Sequence, residues 1–455
     1  MGSLTAILSA ARDGIIAQSG GINVTAQNIA GANTPGFVKR TAVLESLPTG
    51  GVALTGVKRS FDRFTYSQLI DQEGKLASAR VRSTALSDLE SIVSPAVDHI
   101  GDRADALFDA LQELSLYPSD NAVRSTVLAR AEWLGASFSE TAAGLDQYRE
   151  ELFTRVRDLT TEVNQRLDSL SSVDASVRAA LARGEDASDL VDRRDQLVRE
   201  IGERVGGRVV EDERGGLTLF GAGTVLYENG HAAKLSASLD SSNDLSIRAD
   251  RDGNVIDITK SIDAGALAGA KIARDVDIPD VLASLDAFAK DLTDTINAVH
   301  VTGYGLDGVA GRPLFTPSAT VAGAANAMSV DPSIAGHPER IATSSSAGSL
   351  PGGNDVAAAL ADLVRKNLNT TGGTTSERYA AIASKVGMLR NVASGEESMR
   401  EDTVATATAL RESASGVSTD EEMINLQRFQ RAFEASSRVL RTVDELYQTL
   451  LQSIG

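Results

Sequence analysis

The residues able to do chemistry are few, and their spacing suits little of it. The chain of 455 residues holds no cysteine, which removes thiolate nucleophiles, disulfides and cysteine-bound metals together. Its four histidines, His99, His231, His300 and His337, are scattered with no ligand spacing, so no metal site is expected. Gly303-Tyr304-Gly305-Leu306-Asp307-Gly308 spells the G-x-G-x-x-G dinucleotide fingerprint. It follows a helical stretch instead of a strand and opens no helix, so it reads as a glycine-rich loop. Asp250, Asp252 and Gly253 start a calcium loop but lack its other ligands and closing glutamate, which leaves a hairpin turn. The run from Leu190 to Ile201, with Asp192, Arg193, Arg194, Asp195, Arg199 and Glu200, crowds charges enough to suggest a catalytic cluster. Their alternation along a helix predicts a solvated face.

Composition points the same way. A net charge of −18 argues against nucleic acid or an anionic membrane as the main partner. Aromatic residues make up 4% of the chain, with Trp133 the single tryptophan, too few for a large sculpted pocket. No apolar run is long enough to cross a bilayer, so no membrane insertion is expected. The N-terminus lacks a basic stretch followed by an apolar core and cleavage site, so no secretory signal is expected either. The sequence therefore assigns no catalytic, cofactor or metal residue, and what remains to explain is a set of helices.

Two of them carry seven-residue apolar repeats. Leu426, Phe433, Leu440, Tyr447 and Ile454 recur at every seventh position, with Phe429, Ser436, Val443 and Leu450 in the second line. Gly416 and Ser418 precede the repeat, and Asp420, Glu421 and Glu422 load its first turn, where acidic groups suit the helix dipole. At the other end Leu8, Ile15, Ile22 and Ile29 recur every seven residues, with Leu4 and Ala11 in the alternate position. A strict heptad seeks a partner helix, so the two ends are expected to pack together. Gly14, Gly20 and Gly21 lie inside the first of these helices at about 1 kcal/mol each relative to alanine. Such a helix is expected to order only against neighbours, which makes assembly the leading reading.

Between the ends the chain reads as helices around one β-rich stretch. A short extended region from Gly50 leads into a helix over 68–93; further helices cover 104–116 and 122–138. A separate long helix is expected from Leu145 to Leu181, where apolar residues step at the 3.6 period of a straight bundle helix. From Gly206 short apolar strands alternate with turns at Arg214-Gly215-Gly216, Asn229-Gly230 and Asp252-Gly253. Helix returns over 281–300, and 316–353, rich in Ala, Ser, Gly and Pro, reads as a surface loop. The expected class is mainly α with a small β-rich insertion: an elongated helical bundle whose terminal heptad helices pack together. Its expected units are a terminal assembly domain (1–45 with 410–455), a helical-bundle core (46–205 with 281–409) and a β-rich outer domain (206–280).

The turn after the first helix, Asn28-Ile29-Ala30-Gly31-Ala32-Asn33-Thr34-Pro35-Gly36-Phe37, resembles the signature of the bacterial flagellar rod, hook and hook-associated axial proteins. In these a heptad helix ends at an Asn-Thr-x-Gly-aromatic turn. Val38-Lys39-Arg40, the stretch Ala106–Phe138 with Leu107-Phe108, Pro118, Arg124 and Val127-Leu128, and the Leu-x-Asp-x-Arg-Asp-x-Leu pattern from Leu190 resemble the hook-associated protein 1 branch. The resemblance implies a structural subunit at the hook–filament junction, exported unfolded through the flagellar type III apparatus to the extracellular flagellum. It implies self-association in a helical lattice, contact with hook protein and with the next hook-associated protein or filament, and an export chaperone at the C-terminal region. The terminal helices would form an inner layer, the bundle a middle layer and the β-rich part an outer one; the short strands and hairpin turns of that part, a local unit between helices, predict an ornament outside the assembly lattice. The other readings are a hook protein, which would carry far more β structure, a helical adhesin or binding module, and a hydrolase decorating the flagellum. For the last no nucleophile–base or paired-acid arrangement is found.

Overall fold

A single helix, α4 (Asn121–Ala182), runs for 62 residues and organises the chain. At 1.5 Å per residue it is about 90 Å long. Asp120 caps it, its side chain accepting from the amides of Ala122 and Val123. The sequence reading broke this helix between Phe138 and Leu145. No proline lies there, and the single Gly144 costs only about 1 kcal/mol, too little to interrupt a helix buried along its length. The computed structural model describes residues 2–454 apart from Pro35, Thr49 and 213–215. Part of the Arg214-Gly215-Gly216 turn and the motif proline therefore lie outside the described residues, as does the side chain of Ile454.

Two large apolar cores are strung along α4, and a small cluster of Val177, Ala180 and Ala187 lies at the end of that helix. Its first half, from Val123 to Leu152, packs with α2 (Arg63–Val93), α3 (Ile100–Leu116), α7 (Ile278–His300), α8 (Asp355–Ala361) and α9 (Thr375–Ser415). Its second half, from Val156 to Leu170, packs with α5 (Ser188–Val205) and α6 (Gly265–Ile272). Two small antiparallel sheets complete the second core. One, in the order β3–β4–β5–β6, comprises Arg208–Glu211, Leu217–Gly221, Thr224–Glu228 and His231–Ala232. The other, β7–β8–β9, comprises Lys234–Leu239, Leu245–Arg251 and Asn254–Asp257. Asn229-Gly230 and Asp252-Gly253 form turns with positive φ, as the sequence predicts. The Asp250 carboxylate accepts from the Gly253 amide at 2.9 Å, a turn contact.

The sheets share an apolar core with the helices. Leu219, Leu226, Tyr227, Leu235 and Ile247 are buried in one cluster with Val163 and Leu167 of α4 and Leu197 and Ile201 of α5. Asn164 of α4 also pairs with β7 like a strand, donating to the Leu235 carbonyl at 2.8 Å and accepting its amide at 2.7 Å. The strands end at Asp257, and α6 then returns to pack on α2.

Parts of the segment read as a surface loop are interior: Ala325, Ile334 and Ile341 are fully buried in the first core, as are Leu314 and Phe315 just before it. An irregular backbone can be buried only if its polar groups are satisfied, and helix side chains do this. Arg124, itself buried, donates to the carbonyls of Pro118 and Ile341, both at 2.7 Å, and to the Thr343 hydroxyl at 3.0 Å. Burial pushes its guanidinium pKa down to about 10. Asn297 accepts from the amides of Leu314 and Phe315 and donates to the Phe315 carbonyl. His300 Nδ1 donates to the Arg312 carbonyl at 2.7 Å, and its Nε2 accepts from the Ala342 amide at 3.0 Å. This arrangement needs a neutral imidazole, and burial lowers its pKa to about 4.

The terminal helices α1 (Gly2–Gly31) and α10 (Thr419–Ile454) pack together, as expected, beside a hairpin of β1 (Arg40–Ser46) and β2 (Val52–Arg59). The first strand of that hairpin was missed, because Arg40–Ser46 lacks a run of apolar alternation. The fold is mainly α, with small antiparallel sheets.

Candidate assembly interface

Four contacts fix how α1 meets α10. Thr5 Oγ1 lies 3.0 Å from the Tyr447 hydroxyl. A Cβ on Gly14 would lie 3.0 Å from Ser436 Oγ, and one on Gly21 would lie 2.7 Å from two ring carbons of Phe429. Asn28 Nδ2 donates to Glu422 Oε2 at 2.9 Å. Gly14, Gly21 and Asn28 climb in sevens while Ser436, Phe429 and Glu422 descend in sevens, so the pair is antiparallel and in heptad register. The interior glycines, read from sequence as weak points, are where the side chains of α10 seat. Gly20 plays the same part for the hairpin, since a Cβ there would meet Leu54 Cδ2 at 2.5 Å.

The face of α1 turned inward is therefore the small one: Ala11, Ala17, Gly21, Val24, Thr25 and Asn28 are buried. The predicted line Leu4, Leu8, Ile15, Ile22 and Ile29 is half-buried along its flank. On α10, Phe429 and Val443 are buried, Leu426, Phe433, Leu440 and Tyr447 half-buried, and Leu450 exposed. Leu8 and Leu440 line one groove of about 430 Å³ with Ser437, Arg441 and Asp444. Outward from the seam stand Ile7, Ile16, Met423, Ile424, Val439 and Leu446, each 43–68% exposed. Apolar side chains left in water along both helices mark a surface meant to be covered.

The motif after α1 turns the chain into β1. Asn28 is fully buried; its amide donates to the Arg40 carbonyl at 2.7 Å as well as to Glu422, and its oxygen accepts the Arg40 amide at 2.9 Å. Asn33 and Thr34 are exposed, and Phe37 closes the turn by donating to the Thr34 carbonyl. Gly36 has φ +86°, a conformation that favours glycine. The Phe37 ring covers Gly31, where a Cβ would come within 2.5 Å of it, and the Arg40 guanidinium lies 4.8 Å from the ring centre. Pro35 lies outside the described residues.

The hairpin docks on α5 through charges that the sequence reading left to solvent. Arg40 and Arg59 are register partners across β1 and β2. Arg40 Nη2 reaches Asp189 at 2.6 Å and Asp192 at 2.8 Å; Arg59 Nη2 reaches Asp192 at 2.5 Å and Asp195 at 2.8 Å. Asp189, Asp192 and Asp195 fall three apart and so share one helix face. On another side of α5, Arg194 is buried against Asp174 of α4 and Glu211 of β3, and Tyr227 donates to Asp174 at 2.9 Å. Burial pushes the Asp195 carboxyl up, though Arg59 pulls against it. The signal available in sequence was the three-residue spacing of acids opposite an arginine at each end of a hairpin. Helical alternation alone cannot distinguish water from a cation more than a hundred residues away. Lys39 extends the same junction to α10, its Nζ 2.7 Å from Glu421.

A family model described as the flagellar hook-associated protein FlgK helical domain matches residues 86–315, just over half of the chain. The chain belongs to the FlgK family. A second model, the C-terminal region of the flagellar basal body rod FlgEFG proteins, matches residues 411–453. Flagellar hook-associated protein 1 of Bacillus subtilis (strain 168) is 25% identical over 498 residues, covering 98% of both chains. Its counterpart in Salmonella typhimurium (strain LT2) is 22% identical over 551 residues, covering 98% of this chain and all of the relative. Among solved structures, the flagellar hook junction protein FlgK from Burkholderia pseudomallei superposes with a TM-score of 0.62 at 15% identity, covering 76% of this chain and all of that one. This likeness shows a shared fold. The FlgK helical domain spans much of both cores, and the rod-type C-terminal region is α10 with the end of α9.

Proposed function

We propose that this chain is a structural subunit of the bacterial flagellum at the junction between hook and filament, with the paired terminal helices as its assembly surface. The observation that carries the reading is the α1–α10 seam: a register-locked antiparallel pair that still leaves Ile7, Ile16, Ile424 and Leu446 in water. Copies of the chain would bring these faces together in a helical lattice, with hook protein on one side and the next hook-associated protein or filament on the other. The subunit would leave the cell unfolded through the flagellar type III apparatus, an export chaperone holding the C-terminal region, and would end outside the cell. On this reading 1–45 with 410–455 is the assembly unit, and the bundle and sheets lie further out.

The test is complementation of a strain lacking its own hook-associated protein 1. The wild-type chain is expected to restore attached filaments. Leu440 belongs to neither core, so Leu440→Asp should be exported and melt normally yet fail to join hook and filament. Normal assembly by Leu440→Asp would sink the assignment of this surface.

A further inference from the structure

The turn that ends α1 and the link between α9 and α10 enclose an open cleft of about 950 Å³. Its walls are polar and include three cations, Lys39, Arg199 and Arg411, and two carboxylates, Glu412 and Glu421. Two of the cations are matched: Lys39 by Glu421 at 2.7 Å, and Arg199 by a bidentate contact with Glu73. Arg411 is not. Among the described residues it donates to the Gly36 carbonyl at 3.3 Å, has no carboxylate at ion-pair distance, and keeps a buried Nε without a partner. Burial, and after it the like charge of Arg199, push its pKa down. A guanidinium held half out of water beside a second guanidinium, with Glu412 and Glu73 acting on it only from beyond ion-pair distance, has a planar fork with no carboxylate bound to it, and that fork is shaped for one. The chain has carboxylates in surplus, 62 acidic residues against 44 Lys and Arg, so a neighbouring copy is a ready source.

We propose that this cleft is a carboxylate site in which Arg411 receives an acidic side chain from a second copy of the chain. The source of the carboxylate rests on the assembly reading above; the affinity of the cleft for the group does not. The probe is citrate, compared with sodium chloride at equal ionic strength, on the purified full-length chain. Citrate at ten times its Kd should raise the melting temperature by about 2 °C. Arg411→Gln should lose this shift and, without citrate, should melt no lower than wild type, since an unpaired charge has been removed. A citrate shift that persists in Arg411→Gln, or its absence in wild type, overturns the site. A lower melting temperature for Arg411→Gln does so as well, because it would make Arg411 a structural residue. In cells, Arg411→Glu should be exported but missing from junctions, with Arg411→Lys restoring them. Normal incorporation of Arg411→Glu would overturn the second copy as the source. If the wild-type chain itself fails to complement, the flagellar reading falls while the citrate result stands.

Discussion

Glycine-to-alanine substitution in a helix should have opposite signs at Gly21 and Gly395. Either change gains about 1 kcal/mol of helix propensity. At Gly395 a Cβ meets nothing within 4 Å, so the gain stands. At Gly21 the Cβ would lie 2.7 Å from Cδ1 and Cε1 of Phe429 and 2.9 Å from Cζ. Carbon atoms pack at about 3.5–4.0 Å, so a buried ring must move by about 1 Å. Overpacking of this kind costs about 1–3 kcal/mol, which cancels or outweighs the propensity gain. The assay is amide hydrogen exchange on the purified chain. Gly395→Ala should slow exchange in α9 by about fivefold, while Gly21→Ala should leave α1 unchanged or speed its exchange by up to about 30-fold. Adding Phe429→Leu to Gly21→Ala should restore the protection. If Gly21→Ala alone protected α1 as well as Gly395→Ala protects α9, the Phe429 ring could not be seated on Gly21.

Three further outcomes are expected. Asn28→Ala strands the amide and carbonyl of Arg40 and takes one of the partners of the buried Glu422 carboxylate, which keeps Lys39 at 3.7 Å, and should lower stability by about 3 kcal/mol in denaturant unfolding; a loss below about 1 kcal/mol would show that the motif is not a lock. The folded His300 stays neutral down to about pH 4 whereas the unfolded residue binds a proton near 6.5, so the unfolded state holds more protons between these values and stability falls as pH drops through them. The advantage of wild type over His300→Gln should therefore shrink by about 2 kcal/mol between pH 7 and pH 5; an unchanged gap would mean that the imidazole is not held neutral. Replacing 207–257 by a Gly/Ser linker should unfold the second core, because Leu219, Leu226 and Ile247 fill it; a variant with wild-type melting would restore the view of the sheets as an outer ornament.

The parts of the fold that were legible are those with a local signature. The α10 heptad, the Asn-Gly and Asp-Gly turns and the α1-ending turn each occupy a short window in which one physical rule decides. What escaped depended on distant partners. The inward face of α1 joins Ala11, which the heptad includes, to Ala17, Gly21 and Thr25, which an apolar scan passes over because it weights Ile15 and Ile22 instead. Asp192 and Asp195 look like solvated residues until Arg40 and Arg59 arrive from a hairpin elsewhere in the chain. The stretch 316–353 has loop composition, and helix side chains that reach in, Arg124, Asp286 and His300, satisfy the backbone of its buried parts.

The contact between Thr5 and Tyr447 joins residues 442 positions apart. Contacts of that separation form late, since closing so long a loop costs entropy that shorter-range packing must first offset. Either core can collect most of its members before α10 exists, but α1 has only the hairpin of β1 and β2 to pack on until the final helix has been made and brought back to it. The seam is thus a test of completeness. A chain that stops at the end of α9 keeps the helices of both cores and exposes Gly14 and Gly21 with nothing to receive, while Asn28 keeps Arg40 but loses Glu422.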